Sequence, residues 1–388
     1  MLRFKQLLGW NTLAVSGSAD AAPAFYSNGR IHLRREIHIM PAQNTEGRLR
    51  RDFLKHAAAL GGATLWGGGL SQALAQTSRA SVWKNQIGLE LYTVRDLMMS
   101  DFEGVLAKIA QMGYREVEPA SGYNNMDPKT FRAMLDRYGL RMPSTHSGAR
   151  GTGADLEKQL EGFQIMGIEY TEILGDSGRG PAGSGPDRKL APGAYYNPGT
   201  GITRNSFTET EAFGPYQPPV TIESVKHRAA QLNANGKIAR KFGMKILIHN
   251  HTGEFEKLRD SDKTTYDVLL SETDPELVTM QLDIGWATIA GMDVIEMFRK
   301  NPGRYELWHL KDVVGLKTVN RSLSPNARVS SMAFVPLGAG QLDYKPIFAN
   351  AKQAGLKHFC VEQDNAASWG DSLAAARVSC QNLLRILS

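Results

Sequence analysis

From residue 86 to the end of the chain, short apolar runs alternate with amphipathic segments. The runs have the length of strands that are buried on both faces, and the segments between them carry the spacing of helices. Eight runs follow this pattern: QIGLELY (86–92), REVEPA (115–120), RMPSTH (141–146), YTEILG (170–175), KILIHNH (245–251), VTMQLDIG (278–285), YELWHLKD (305–312) and HFCVEQD (358–364).

Local signals mark the ends of the intervening helices. In DFEGVLAKIAQMG (101–113), apolar residues recur every three or four positions, and Gly113 is expected to end the helix. In DPKTFRAMLDRYG (127–139), Asp127 is the expected N-cap and Pro128 fits the first turn. LGAGQLD (337–343) lacks the preceding strand of a dinucleotide loop and is interpreted as a turn that ends in an N-cap, Asp343. Eight strand–helix units predict a (β/α)8 TIM barrel.

Two connections are too long to be simple turns. Residues 176–221 are rich in Gly, Pro and Tyr and show no periodicity, and residues 313–336 precede the helix that leads to the last strand. Both follow strands, and such loops line the catalytic face of a barrel. We therefore expect them to form a lid or a substrate wall.

The N-terminal region differs in composition from the rest. Residues 1–75 hold nine Lys/Arg and four Asp/Glu, a net charge of +5, whereas the remaining residues hold 36 against 35. Within this region RRDFLKHAAALGGATLWGGGLSQALAQ resembles a twin-arginine (Tat) export signal, with the arginine pair at Arg50 and Arg51 and small residues that predict cleavage after Ala75. The start codon is left open between Met1 and Met40.

This division predicts a signal segment over 1–75 and a barrel domain over 76–388. Export by the Tat machinery would place the folded protein in the periplasm. The apolar part of the signal is too short and too rich in glycine for a stable membrane anchor, and the near-neutral body has no basic patch for nucleic acid. Cys360 lies in an apolar run, so a buried free thiol is expected rather than a disulfide with Cys380. Homo-oligomerisation is left open.

Polar residues concentrate where the apolar runs end. Buried charges cost several kcal/mol unless they are paired or bound to a metal, so six strands that end in this way indicate a common pocket. The residues are Glu118, His146, His249, His251, Asp283, His309, Lys311, Glu362 and Asp364.

Strand alternation and ligand chemistry predict a metal site in that pocket. Side chains at i and i+2 share a face, so His249 points with His251, His309 with Lys311, and Glu362 with Asp364. Imidazoles and carboxylates together suit Mn²⁺, Co²⁺, Fe²⁺ or Zn²⁺ better than Ca²⁺. The candidate ligands are His249 (or His251), Asp283, His309 and Glu362.

The ordered motifs carry a family resemblance. IGLELYTVRD, GYREVEPA, IHNHTGEF, LDIGWA, LWHLKD, LGAGQLDY and VEQD resemble those of the sugar phosphate isomerase/epimerase family with its xylose isomerase-like TIM barrel, over 86–388 apart from the two long loops. In that family a divalent metal, often Mn²⁺, is held by Glu, Asp, His and Glu on strands five to eight. Asp283, His309 and Glu362 match three of these positions, and the resemblance implies one such ion here.

The fourth position departs from the family pattern. Where many epimerases have a glutamate on strand five, this chain has His249. In those enzymes two metal-bound glutamates exchange a proton on opposite faces of the sugar. A histidine lowers the ligand charge from −3 to −2 and removes one base of the pair, which favours a reaction that needs a single base.

The expected chemistry is proton abstraction next to a carbonyl with stabilisation of an enediolate. Glu362 is the favoured base, and Glu118 and Glu254 are further acid/base candidates. Lys311 is expected to stabilise the oxyanion. The predicted substrate-binding residues are His146, His251, Trp286 and Asp364.

These inferences predict a metal-dependent isomerase or epimerase that acts on a small keto-sugar. A lyase or hydratase for 3-keto-glycosides or inosose-like compounds is the first alternative. A periplasmic sugar-binding protein without turnover is another. A metal-dependent endonuclease is disfavoured by the predicted export and by the neutral body of the chain.

Overall fold

The computed structural model describes residues 83–120, 126–174, 195–197, 202–204 and 221–388. The predicted export signal lies outside these residues, as does most of the loop 176–221. Within that loop, Tyr195–Asn197 and Ile202–Arg204 pair as antiparallel strands. No helix among the described residues is both long and apolar enough to cross a membrane.

Eight parallel strands form a nearly closed barrel, as the sequence predicts. The strands are β1 (Ile87–Glu90), β2 (Glu116–Glu118), β3 (Ser144–Arg150), β4 (Tyr170–Leu174), β5 (Lys245–His249), β6 (Val278–Asp283), β7 (Leu307–Leu310) and β8 (His358–Val361). Around the barrel they follow the order β2-β1-β8-β7-β6-β5-β4-β3. Between β2 and the segment that leads into β3, Val117 N donates to Arg141 O and His146 N donates to Pro119 O.

Helices follow the strands and pack on the outside of the barrel. The main helices are Phe102–Met112, Pro128–Arg137, Gly153–Met166, Ile222–Arg240, Thr265–Glu272, Ile284–Ala290, Val294–Lys300, Tyr344–Ala349, Ala351–Ala354 and Ser372–Ile386. The apolar stripes predicted from the sequence face the strands: Val105, Leu106 and Ile109 of the first helix are buried.

The predicted helix ends are confirmed. Asp127 accepts hydrogen bonds from Lys129 N and Thr130 N, and Pro128 opens that helix. Gly113 ends the preceding one at φ 112°, a left-handed conformation that favours glycine. Asp343 accepts from Lys345 N and caps the helix before β8. Cys360 and Cys380 are buried free thiols, as expected for Cys360.

One boundary differs from the prediction in a way that bears on the site. The third strand begins at Ser144, three residues later than predicted, and its pairing with β4 is irregular between Thr145 and Ala149. Pro143 has no N–H to donate to a neighbouring strand. His146 therefore lies inside β3 rather than at its end.

The two ends of the barrel carry separate polar clusters. At the N-terminal end, buried Glu306 pairs with Lys245 at 2.6 Å and Lys357 at 3.0 Å, and it accepts a hydrogen bond from Tyr170 at 2.7 Å. Polar residues at this end of a TIM barrel usually serve stability. The C-terminal end holds the predicted site residues.

Candidate metal centre

Four side chains from β5 to the end of β8 meet at the C-terminal end of the barrel. One ligand atom from each of His249, Asp283, His309 and Glu362 lies within 4.8 Å of the other three. Oδ2 of Asp283 is 3.4 Å from Nε2 of His249 and 3.9 Å from Nδ1 of His309. Nδ1 of His309 is 2.6 Å from Oε2 of Glu362. The predicted ligand set therefore converges.

The same four atoms are buried, and apart from the close contact of His309 Nδ1 with Glu362 Oε2 none has a well-formed hydrogen bond: His249 Nε2, Asp283 Oδ2, His309 Nδ1 and Glu362 Oε2. A buried polar atom that makes no hydrogen bond is costly. Four such atoms that face one point, two imidazole nitrogens and two carboxylate oxygens, are the donor set of a divalent transition metal. The residues fit a divalent metal.

The protonation of His249 suits this role. Burial is the first cause that lowers the pKa of His249 well below its ordinary value, and the charges of His309 and His146 act in the same direction. A neutral imidazole keeps a lone pair for a metal. His249, at the end of β5, supplies the converging nitrogen, whereas His251 lies beyond it.

Local structure fixes Asp283 in the cluster. Its Oδ1 accepts a hydrogen bond from Trp286 N and caps the helix Ile284–Ala290, which leaves Oδ2 to face the cluster. The carboxylate is fully buried, and burial is the main cause that raises its pKa to about 7. A cation at the cluster would relieve this unfavourable burial of charge.

Lys311 lies inside the same cluster and is fully buried. Its Nζ is 3.4 Å from Asp283 Oδ2, 3.1 Å from Glu362 Oε1 and 2.7 Å from Asp364 Oδ2. Burial alone would lower the pKa of Lys311, but Asp364 and then Glu362 raise it, so the ammonium stays charged. A Cβ at Gly285 would lie 2.6 Å from Lys311 Cβ, so glycine is needed for the helix to approach β7 here.

The local charges also favour a metal. Four carboxylates surround the cluster, those of Glu118, Asp283, Glu362 and Asp364, and Lys311 supplies one positive charge. Burial would lower the pKa of His309, but Glu118 and then Glu362 outweigh it and raise that pKa to about 10, so without a metal a protonated His309 supplies a second positive charge. A divalent cation would take the place of the proton on Nδ1 of His309 and offset the remaining negative charge.

Glu118 lies on the far side of His309. Its Oε1 is 2.7 Å from Nε2 of His309, so a proton on Nε2 leaves Nδ1 free to face the cluster. Gln281 Nε2 donates to Glu118 at 2.7 and 3.0 Å, and Ser144 Oγ donates to its Oε2. Glu118, His146 and His309 also form a second group with metal-ligand atoms close together. Hydrogen bonds already account for that group.

Three predicted substrate-binding residues border the cluster. The ring of His146 lies 4.9 Å from that of His249 and 5.0 Å from that of His309, and its Nε2 is hydrogen-bonded to Gln281 Oε1. The ring of His251 lies 4.9 Å from that of His249 and 5.5 Å from that of Trp286. Burial lowers the pKa of His251, with partial opposition from Glu254.

Two further predicted residues hold the surrounding structure. Glu254 Oε2 accepts a hydrogen bond from the backbone N–H of His251 at 2.8 Å. Asp364 binds Lys311 through its side chain, and its backbone carbonyl accepts from Arg95 at 2.8 Å. In the structure Glu254 orients the segment after β5, and Asp364 orients Lys311.

Glu90 and Gln281 are also buried in this site, although the sequence did not identify them as candidates. Glu90 ends β1, so the strand-end pattern that identified the other residues could have identified it. Gln281 precedes Asp283 by two positions and shares its face. Both lie inside apolar runs, where the surrounding residues dominate the pattern.

Comparison with known proteins identifies the family of this chain. The family model described as "Xylose isomerase-like TIM barrel" matches residues 106–378, which is more than half of the chain. The chain belongs to the xylose isomerase-like TIM barrel family. Membership agrees with the predicted family, whereas the predicted Tat signal lies outside both the matched and the described residues.

Curated relatives of this xylose isomerase-like barrel carry a lyase name. The chain is 28% identical over 280 residues to inosose dehydratase from Geobacillus kaustophilus, a match that covers 68% of this chain and 81% of the relative. It is 25% identical over 273 residues to inosose dehydratase from Lacticaseibacillus casei, covering 68% of this chain and 83% of the relative.

A solved structure shows the same fold. A sugar phosphate isomerase/epimerase from Parabacteroides distasonis superimposes with a TM-score of 0.53 at 17% identity, covering 76% of this chain and 96% of that one. At this identity the match supports the barrel architecture of the family.

Proposed function

We propose that this protein is a divalent-metal-dependent lyase that removes water from a polyhydroxylated ketone of the inosose type. The observation that carries the proposal is the convergence of four buried ligand atoms, one each from His249, Asp283, His309 and Glu362. The relatives named inosose dehydratase, matched over most of their length, support this reaction class.

The chemistry of the cluster favours the lyase over the isomerase or epimerase that the sequence predicted first. Epimerisation by two matched carboxylates needs one on each face of the substrate. Here β5 offers the uncharged His249, and Asp283 is fully buried with one oxygen capping a helix. Glu362 is then the remaining carboxylate base among the four proposed ligands. Elimination of water from a ketone can proceed with one base.

Glu362 is the proposed base. It keeps 7% of its surface exposed, whereas Asp283 and Glu118 keep none. Burial would raise the pKa of Glu362, but Lys311 and His309 outweigh burial and hold the pKa below its ordinary value. Glu362 is therefore ionised and able to accept a proton at neutral pH.

One carboxyl group is enough for the proposed reaction, because Glu362 first takes a proton and then returns it. Glu362 takes the proton from the carbon next to the carbonyl, and the electron pair of that C–H bond forms an enediolate. The electron pair then forms a carbon–carbon double bond as the β-hydroxyl leaves. The leaving oxygen takes the proton back from Glu362 and departs as water. The product is an α,β-unsaturated ketone with a hydroxyl on its α-carbon, which is the enol form of a 1,2-diketone.

Negative charge that develops on the carbonyl oxygen must be stabilised within the pocket. Lys311 lies 3.1 Å from Glu362 and keeps a permanent positive charge next to the reacting atoms. A divalent metal, when bound to the four ligands, supplies Lewis-acid stabilisation of the same charge. The N/O ligand set suits Mn²⁺, the proposed ion, and equally accommodates Co²⁺, Fe²⁺ or Zn²⁺.

The residues around the cluster take supporting roles in this proposal. His146 and His251 would contact substrate hydroxyls, and Trp286 would provide an apolar surface next to them. Glu118 and Glu254, which the sequence analysis placed among the catalytic candidates, are assigned to positioning. Glu118 already accepts hydrogen bonds from His309 and Gln281, and Glu254 accepts one from the backbone N–H of His251.

The product distinguishes the candidate functions. The metal-loaded protein is incubated in D₂O with a panel of inososes, 3-keto-glycosides and keto-sugars, and the products are analysed by mass spectrometry and ultraviolet absorbance. The proposal predicts loss of one water and the absorbance of an unsaturated ketone, both abolished in Glu362→Gln. Deuterium incorporation without loss of water would show an isomerase or epimerase instead. Sugar binding without either change would show a binding protein.

We also propose that the protein is exported. The support is the arginine pair Arg50–Arg51 and the small residues before Gln76. Cell fractionation of the wild type and of a variant with both arginines replaced by lysine tests this. The wild type should be periplasmic and the variant retained in the cytoplasm; equal distribution of the two would contradict Tat export.

A further inference from the structure

Glu90 and Glu118 are adjacent buried carboxyl groups. Strands β1 and β2 pair in parallel with Glu90 directly opposite Glu118. The two residues are 1% and 0% exposed. Paired residues on neighbouring strands project from the same side of the sheet, so both side chains enter the barrel interior.

Hydrogen bonding differs sharply between the two carboxyl groups. Glu118 receives donors from three directions: Ser144, Gln281 and His309. Glu90 Oε1 accepts one long hydrogen bond, from Tyr92 N at 3.3 Å. Glu90 Oε2 is buried, and no donor among the described residues reaches it.

The difference in hydrogen-bond donors decides which of the two carboxyl groups carries a proton. Two adjacent carboxylates in a dry site cannot both be ionised, and the one with more donors keeps the charge. Burial, followed by the charges of Glu118 and Glu362, raises the pKa of Glu90 well above its ordinary value. A neutral Glu90 turns its otherwise unpartnered oxygen into a donor toward Glu118.

We propose that Glu90 is a positioning residue that stays protonated and donates its O–H to Glu118, which fixes Glu118 on Nε2 of His309 and directs Nδ1 of His309 toward the metal cluster. The chain of contacts runs from β1 through β2 to β7. Partners of this kind orient a histidine ligand and select its tautomer. The inference rests on the proposed metal centre.

The proposal makes a substitution-specific prediction for metal affinity. Glu90→Gln keeps a neutral donor of the same shape, so its affinity for Mn²⁺ or Zn²⁺ should stay within about threefold of the wild type. Glu90→Met fills similar space without a donor, and its affinity should fall by roughly tenfold or more. Affinities are measured by competition with a chelating dye, after circular dichroism has shown that each variant is folded.

Glu116 offers a matched control. It is a fully buried glutamate on β2, the strand of Glu118, but it lies at the opposite end of the barrel. There it contacts His358 at 3.0 Å and Arg141 at 2.8 Å. Glu116→Gln should leave metal affinity unchanged. Glu90→Gln losing as much affinity as Glu90→Met would overturn the proposal, because it would show that Glu90 acts through a negative charge. Unchanged affinity in Glu90→Met would overturn it as well.

Nitrogen-15 NMR of the histidines in metal-free protein separates this inference from the metal centre. The His309 resonances should be the same in the wild type and Glu90→Gln and should shift in Glu90→Met. If the His309 resonances follow this pattern but the wild type binds no metal, the contact of Glu90 with Glu118 is upheld and the metal centre is rejected. Identical His309 resonances in all three proteins would reject the role of Glu90, whatever the metal data show.

Discussion

Asn250 and Asp283 are joined by two reciprocal hydrogen bonds. Asn250 Nδ2 donates to the backbone carbonyl of Asp283 at 3.3 Å, and Asp283 N donates to Asn250 Oδ1 at 3.0 Å. Asn250 is fully buried. It joins the end of β5 to the end of β6, so two of the four proposed ligands are held at a fixed separation.

Replacing Asn250 should therefore affect stability and metal binding together. In Asn250→Ala, a buried N–H and a buried C=O of Asp283 lose their partners, which should lower the free energy of unfolding by about 2 kcal/mol. Metal affinity should fall as well. Urea unfolding and metal titration measure the two effects. Asn350→Ala, which removes an exposed hydrogen bond to Pro346, is the control and should change stability by less than about 0.5 kcal/mol.

The two histidines of the β5 segment should respond differently to substitution. His249→Ala removes a converging nitrogen and should reduce affinity for a divalent metal by at least about 100-fold. His251→Ala removes a neighbouring ring and should leave affinity within about threefold while it weakens substrate binding. Metal titration of both variants is the measurement. The reverse order of affinities would make His251 the ligand.

Lys311 should be essential to the stability of the barrel. Lys311→Met leaves three carboxylates without their counter-charge, and the loss of one partner from a buried ion pair typically costs about 3–5 kcal/mol. Urea unfolding checks this. The control is Lys300→Met, whose side chain is 70% exposed and pairs with Glu296 on the surface. An equal loss of unfolding free energy in the two variants would show that the buried charge of Lys311 does not stabilise the barrel more than a surface charge does.

The cluster around Glu306 should give pH-dependent stability without affecting catalysis. Burial would raise the pKa of Glu306, but hydrogen bonds from Lys245, Tyr170 and Lys357 outweigh it and lower that pKa. A carboxyl with a lowered pKa in the folded state stabilises the protein above its unfolded pKa of about 4.3, and this contribution is lost as the pH falls through the folded value. Glu306→Gln should therefore be less stable than the wild type at pH 7, with a difference that shrinks below about pH 4.

Urea unfolding from pH 3 to pH 8 measures that difference. Metal affinity at neutral pH should be the same in Glu306→Gln and the wild type, because Glu306 precedes β7 at the opposite end of the barrel. A constant stability difference at all pH values would show that Glu306 contributes through packing rather than charge.

Much of this architecture is predictable from the sequence because its determinants are local. The strand runs and the caps at Asp127, Gly113 and Asp343 each follow from neighbouring residues. The convergence of His249, Asp283, His309 and Glu362 also follows, since the C-terminal ends of barrel strands share one face.

Other features depend on contacts that sequence spacing does not contain. Glu90 and Gln281 act through partners on other strands, and the bonds of Asn250 to Asp283 join residues 33 positions apart. The shift of β3 past Pro143 changes the position of His146 within its strand. The substrate wall predicted over 176–221 has no periodicity from which a shape could be derived, and it lies largely outside the described residues.

Metal stoichiometry tests the central claim most directly. The purified protein and a His249→Ala/Asp283→Ala double variant are stripped with chelator, dialysed against Mn²⁺ and analysed by mass spectrometry for bound metal. A metal centre built from these residues predicts one ion per wild-type chain and none in the folded double variant. A wild type that retains no ion, or a double variant that retains as much as the wild type, would contradict it.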